Sequence, residues 1–344
     1  MRVITFQVWL GKSESFQPEC ERLVQLLREL GSASLEIYFH EAPGLQWILT
    51  EPLQPTYTDP PAEGRVTVFT SGTTAQPKPV TKVWANVLDG KRGSGTTQDR
   101  WLLTYSPARW AGLSVIAHCL RFSCSLVIPK SLEPKSIGKA LMTCTHVSLT
   151  PSLFRMLALG NHLSPAACLR QITFGGEAVS QRVIDDARTL WPQARITHIY
   201  ASSELGDVVA TSDCLEGFPR LPGQLTASGE LVLGGYATGD IWRIENGRFH
   251  FMGRSTEVIN VGGAKVFPEQ VENVLCSIPG VALARVYGAS SPLVGQLVCA
   301  DYVGEIEATE LASRLRSLLP KHAVPRIKRV AELALSQTGK VLRS

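Results

Sequence analysis

The sequence predicts an α/β protein. It has a large N-terminal domain with one or more parallel sheets and an antiparallel β meander, then a small mobile α+β C-terminal domain. Three observations predict this. Between residues 65 and 202, apolar strand-like runs alternate with helical segments, the pattern of a parallel sheet covered on both faces. From about residue 222, "GELVLGG", "DIWRIEN" and "RFHFMGR" follow one another through Gly or Asn turns, as in a meander. After Arg254 the order β, α, β, β, α, β describes a unit of about 90 residues. The domains are therefore 1–254 and 255–344, the first with a short N-terminal region.

The elements follow in order. A strand, "VITFQVWL", precedes an amphipathic helix, "ECERLVQLLRELG", which ends on Gly31. The Pro- and Gly-rich "EPLQPTYTDPPAEG" reads as a surface connection into the strand "RVTVF". Strand–helix pairs come next: "RWLLTYS" with "AGLSVIAHCLR", "CSLVIP" with "SIGKALMT", and "HVSLTP" with "SLFRMLALG". "LRQITFGG" with "SQRVIDDARTLWP" continues the series, and the strand "RITHIYAS" closes it. In the C-terminal unit, "EVINVGG", the helix "FPEQVENVLCSI", the strands "VALARVYG" and "LVCADYVG", the helix "EATELASRLRSLLP" and "IKRVAEL" complete the chain.

Composition narrows the function classes. The chain has 344 residues, 44% hydrophobic and 19% charged, enough for a sizeable core. A net charge of +4 is too small for a nucleic-acid footprint. No run is long enough for a membrane span or a signal peptide. The eight cysteines form neither a C-x-x-C pair nor a zinc-spaced cluster, which fits reduced thiols in a cytoplasm. Oligomeric state is not legible.

Ligands bind open parallel sheets beyond the carboxyl ends of the strands, and four unusual loops occupy such positions. "TSGTTAQPK" offers hydroxyls from Thr70, Ser71, Thr73 and Thr74, a permissive Gly72 and the charge of Lys78. It reads either as an anion-gripping loop or as a hydroxyl-rich turn. "FGGEA" places Gly175, Gly176 and Glu177 at a strand end, either for a flat ring or as a tight turn. "IYASSE" brings Tyr200, Ser203 and Glu204 together: Glu204 is either a Mg²⁺ ligand or a helix N-terminal charge. "TGD" ends in Asp240, either a ribose acceptor or a turn residue.

In this order, "TSGTTAQPK", "GGEA", "YASSE", "TGD", "GRSTEVINVGGAKVFPEQVE" and the terminal "TGKVLR" resemble the adenylate-forming (acyl-CoA synthetase) superfamily, from about residue 66 onward. The resemblance implies ATP, Mg²⁺ and CoA as partners of a small carboxylic acid. Thr70, Ser71, Gly72, Thr73, Thr74 and Lys78 then grip the β- and γ-phosphates of ATP. Tyr200 stacks on adenine, with Gly175, Gly176 and Glu177 along its other face. Ser203 touches the α-phosphate, Glu204 binds Mg²⁺, Asp240 holds the ribose, and Arg254 makes a second contact to ribose or phosphate. Lys340 bridges the acid's carboxylate and the α-phosphate. A hinge at Thr256, where the family has Asp or Lys, then turns "NVGG" with Gly262 and Gly263 toward the pantetheine arm. Histidine is absent from these loops, in keeping with a reaction that needs no general base.

The compact length and the block "DRWLLTYSPARWAGLSVIAHCL" look most like o-succinylbenzoate–CoA ligases of menaquinone synthesis. Members of the superfamily usually carry a longer stretch before the phosphate loop, where this chain has 69 residues. Those ligases have histidine where this chain has Ala108-Arg109-Trp110. Arg109, Trp110 and Gly112 are the candidate acyl-pocket residues, with Arg109 facing either a second carboxylate or solvent. The alternatives are a ligase passing acyl-AMP to an amine or carrier protein, and a nucleotide-binding relative without turnover.

Overall fold

The computed structural model describes residues 2–7, 20–21, 23–25, 35–40, 48–50, 65–70, 78–91, 93–107, 109–334 and 340–341. Among these, the strands form four sheets.

The first sheet contains β1 (Arg2–Gln7), β2 (Leu35–His40), β3 (Ile48–Thr50), β4 (Arg65–Thr70) and β5 (Lys78–Val83), in the order β3-β1-β2-β4-β5. β1, β2 and β4 are parallel, whereas β3 and β5 close the edges antiparallel. β5 and the short helix α1 (Trp84–Asp89) lie in a stretch with no clear hydrophobic period. Trp84 is fully buried there, and contacts from the next layer place these elements.

The second sheet carries the site. It is built from β6 (Arg100–Leu102), β7 (Ser125–Val127), β8 (His146–Leu149), β9 (Gln171–Gly175), β10 (Arg195–Ser202) and β11 (Gly206–Thr211). The order is β11-β10-β9-β8-β6-β7, parallel except for β11. The connecting helices are α2 (Trp110–Phe122), α3 (Pro134–Leu141), α4 (Pro151–Leu159) and α5 (Gln181–Leu190). Proline opens both α3 and α4, where its missing N–H would be unpaired in any case. Thr150 caps α4 by accepting the Leu153 amide at 3.0 Å. Leu149, Ile172, Phe174 and Ile184 fill the core beneath these helices.

The meander is β12 (Gln224–Leu225), β13 (Glu230–Leu233), β14 (Tyr236–Glu245) and β15 (Arg248–Arg254). The last sheet contains β16 (Ile259–Val261), β17 (Ala264–Val266), β18 (Val281–Ser291), β19 (Gly295–Gly304) and β20 (Arg326–Arg329). Helices α6 (Pro268–Ser277) and α7 (Ala308–Leu318) cover it through Val271, Leu275, Leu311 and Leu315. The fold class follows the expectation, and the α/β region divides into two sheets. One difference is that the C-terminal unit opens with a β16–β17 hairpin. Of the expected N-terminal helix, Cys20, Glu21 and Leu23 to Gln25 are helical, and the remainder lies outside the described residues.

Candidate active site

The loops after β9 and β10, the edge of the meander and the C-terminal lysine meet around one cavity of about 1560 Å³. That is larger than an ordinary small-ligand pocket, and suits a nucleotide with a second substrate beside it.

At the end of β9 the chain turns through Gly176 at φ +83°, a conformation favouring glycine. A methyl group there would stand 3.3 Å from Lys340 Cε, so the lysine lies directly on this turn. Glu177 follows, and both its oxygens are engaged by Ser152. The backbone N–H donates to Oε2 at 2.9 Å and the hydroxyl to Oε1 at 3.0 Å. Burial raises the Glu177 pKa, while the Ser152 amide, Lys340, the Ser152 hydroxyl and Arg155 pull it back.

At the end of β10, the Tyr200 hydroxyl donates to Asp240 Oδ2 at 2.6 Å. Its ring meets Trp242 edge-on at 4.9 Å. Asp240 and Arg254 are register partners across β14 and β15, which sets Arg254 Nε 3.2 Å from Asp240 Oδ1. Burial raises the Asp240 pKa, opposed by Tyr200, Arg254 and Lys340. The same burial, with Asp240 beside it, pushes the Tyr200 phenol up. Asp240 is therefore a desolvated carboxylate that accepts from Tyr200 and pairs ionically with Arg254, while its buried Oδ1 takes no hydrogen bond.

Arg109, at the N-terminal boundary of α2, and Trp110 line the opposite wall. Lys82 Nζ and Lys91 Nζ lie 5.1 and 5.2 Å from the Trp110 ring centroid, a double cation–π arrangement. Lys82 also donates to the Glu204 carbonyl at 2.8 Å, joining β5 to the loop after β10. Lys91 is buried, bonds Ser114 Oγ and pairs with Asp207 at 2.8 Å. Beyond them, His118 and His146 contact the Trp101 ring at 4.8 and 4.9 Å. Burial, then Lys91 and His146, depress the His118 pKa to about 4, against Asp207 and Asp99. Its ring is neutral at pH 7.

The cavity thus brings together Arg109, Trp110, Gly175, Gly176, Glu177, Tyr200, Ser203, Glu204, Asp240, Arg254 and Lys340. The other expected residues are placed as follows. Gly112 is not on the cavity wall: a side chain there would meet the Ser106 carbonyl oxygen at 2.3 Å, so glycine serves helix packing. The Glu177 carboxylate is directed at the α4 amide through Ser152. Gly262 and Gly263, at φ +57° and +87°, form the exposed β16–β17 turn outside the cavity lining. Thr70 and Lys78 are register partners at the ends of β4 and β5. Ser71, Gly72, Thr73 and Thr74 lie outside the described residues.

Sequence reasoning missed Lys82, Lys91, Ser152, Asp207, His118 and His146. One signal was available: Trp110, Ser114 and His118 share a four-residue spacing that puts polar groups on one helical face. The others depend on long-range contacts. Among the described residues, no three His, Cys, Asp or Glu side chains form a metal cluster. Glu204, an exposed carboxylate at the cavity, fits a hard cation completed by phosphate oxygens. No helix among the described residues is long and apolar enough to cross a membrane.

A nucleotide-sized cavity at strand ends, flanked by a C-terminal unit that delivers a lysine, defines an adenylate-forming type of fold. The chain belongs to the AMP-binding enzyme family: that family's description matches residues 10–236, and its C-terminal domain matches residues 270–340. The 3,4-dihydroxybenzoate–[aryl-carrier protein] ligase of Bacillus anthracis is 40% identical over 95 residues, 27% of this chain and 23% of that protein. The 2-succinylbenzoate–CoA ligase of Oceanobacillus iheyensis is 25% identical over 336 residues, covering 80% of this chain and 68% of its own length. Escherichia coli MenE, solved with bound OSB-AMS, superposes with a TM-score of 0.66 at 21% identity, over 86% of this chain and 69% of that one. This chain therefore spans less than a quarter of the first relative and about two thirds of the other two.

Proposed function

We propose that the chain activates a carboxylic acid with ATP as an acyl-adenylate and then transfers the acyl group to CoA, as an AMP-forming acid–thiol ligase. The observation that carries this reading is the convergence of Tyr200, Asp240, Arg254, Glu204 and Lys340 on one cavity from two sheets and the C-terminal segment. In the first step a carboxylate oxygen attacks the α-phosphorus, the bond to the β-phosphate bridge breaks, and pyrophosphate leaves. In the second, the CoA thiol gives up its proton, its sulfur attacks the acyl carbon, and AMP leaves. Positioning and charge stabilisation carry such a reaction.

The desolvated Asp240 accepts the ribose hydroxyls, with Arg254 and Tyr200 fixing its orientation. Lys340 meets the negative charge that grows on the α-phosphate. Ser203 faces the same phosphate, and residues 70–78 take the β- and γ-phosphates. Glu204 would hold Mg²⁺, which neutralises phosphate charge when bound. Turning of the C-terminal unit about Thr256 would bring Gly262 and Gly263 to the pantetheine arm. Arg109 and Trp110 face the acyl group, and Arg109 pairs with a second carboxylate of an o-succinylbenzoate-like acid. The two-thirds coverage of a 2-succinylbenzoate–CoA ligase supports that choice.

A second reading passes the acyl-AMP to a carrier protein or an amine. The locally stronger match to an aryl-carrier protein ligase favours it. ATP–pyrophosphate exchange over a panel of mono- and dicarboxylic acids, with and without CoA, separates the readings. We expect exchange with o-succinylbenzoate and thioester on adding CoA. Exchange without thioester supports the second reading; exchange confined to monocarboxylic acids removes the Arg109 role. No exchange with any acid leaves a nucleotide-binding relative without turnover.

A further inference from the structure

Glu177 joins two elements that a simple nucleotide pocket does not need to couple. Ser152 and Leu153 occupy the first turn of α4, where backbone amides lack intrahelical acceptors. Thr150 takes the Leu153 amide, and the Glu177 carboxylate takes Ser152 by both amide and hydroxyl. Glu177 is thereby pinned as an anion-type acceptor at a helix N-terminus. The charge of Lys340 reaches this carboxylate, and its Cε lies against the adjacent Gly176. The same helix also receives the C-terminal unit. Met156 of α4 packs with Leu283 of β18, Val303 of β19, and Val330, Leu333 and Val341. Val341 is the residue after Lys340.

We propose that Glu177 is a positioning residue that holds Lys340 at the cavity, with α4 as the seat on which the C-terminal unit docks in the acyl-AMP-forming arrangement. This rests on the adenylation reading above. The two bonds from Ser152 restrict the carboxylate to one direction, so its charge marks one place for the lysine ammonium. Met156 and its apolar neighbours hold the backbone beside Lys340, and Glu177 selects where its side chain points. When the unit turns away, the α4 dipole, the Ser152 bonds and Arg155 remain to hold Glu177. The carboxylate therefore biases the domain arrangement without locking it.

Glu177→Gln tests this, because the amide can still bond Ser152 while the charge is removed. We expect pyrophosphate exchange to fall about tenfold, the effect of one charged contact near a surface. CoA transfer from supplied acyl-AMP should fall much less than exchange does, because Lys340 serves only the first step. Reaction of the ligand-free chain with acetic anhydride, read at Lys340 by mass spectrometry, should be several-fold faster in the variant. Unchanged exchange with unchanged labelling overturns the proposal. An equal fall in both half-reactions with unchanged labelling assigns Glu177 a purely structural role and overturns it as well. If the wild-type chain shows no exchange with any acid, the activity reading fails, and the labelling alone decides whether the Glu177 charge acts on Lys340.

Discussion

Lys340 reaches the cavity through packing, since the residues that place it lie far away in the sequence. Gly176 leaves room for its side chain, Glu177 and Asp240 feel its charge, and Val341 joins the apolar seat on α4. Truncating it tests the division of labour between the two half-reactions. Lys340→Ala should reduce acyl-AMP formation by two orders of magnitude or more, roughly the worth of one preorganised electrostatic contact in a transition state. CoA transfer from supplied acyl-AMP should persist. Equal loss in the two assays would count against a lysine that serves only the first step. At the same scale, the sequence marked Asp240, Glu204 and Lys340 through their motifs. It left Lys91, Asp207 and Ser152 unmarked, because a salt bridge between residues 116 positions apart has no local pattern.

Among the elements, α2 supplies one wall of the cavity. Trp110, Ser114 and His118 face the cavity at helical spacing, and Leu113, Ile116 and Ala117 turn into the core. Gly112 lets this helix pass over the backbone of Ser106 and Pro107. Gly112→Ala should lower Tm by several degrees, as overpacking in a rigid interior does at about 1–3 kcal/mol. The measurement is a thermal melt; an unchanged Tm would mean the helix shifts freely. Helix existence and type were legible because α2, α4, α6 and α7 each carry an apolar stripe. β5 and α1 were not, since Val80 and Trp84 are placed by neighbours outside their own segment.

For the molecule as a whole, buried histidines tie stability to pH. Unfolded, His118 takes up a proton below about 6.5; folded, it resists down to about 4. His146 and His198 are shifted the same way by burial. Between these values each such ring is protonated more readily unfolded than folded, so the histidines' contribution to stability falls as the pH drops from 6.5 toward 4. His118→Gln should flatten that acid limb in melts recorded across the window while leaving the neutral-pH slope unchanged. A variant with the wild-type limb would show that the ring does not carry the effect.

Hydrophobic period, turn residues and the order of six short blocks determined the fold class and the kind of site, because both are written locally. Division into two N-terminal α/β sheets, the turn of Glu177 toward α4 and the packing role of Gly112 were decided only in three dimensions. Each depends on which surfaces meet once the chain is compact. A side chain's partners are set by burial and long-range contact, and neither follows from the residues beside it in sequence.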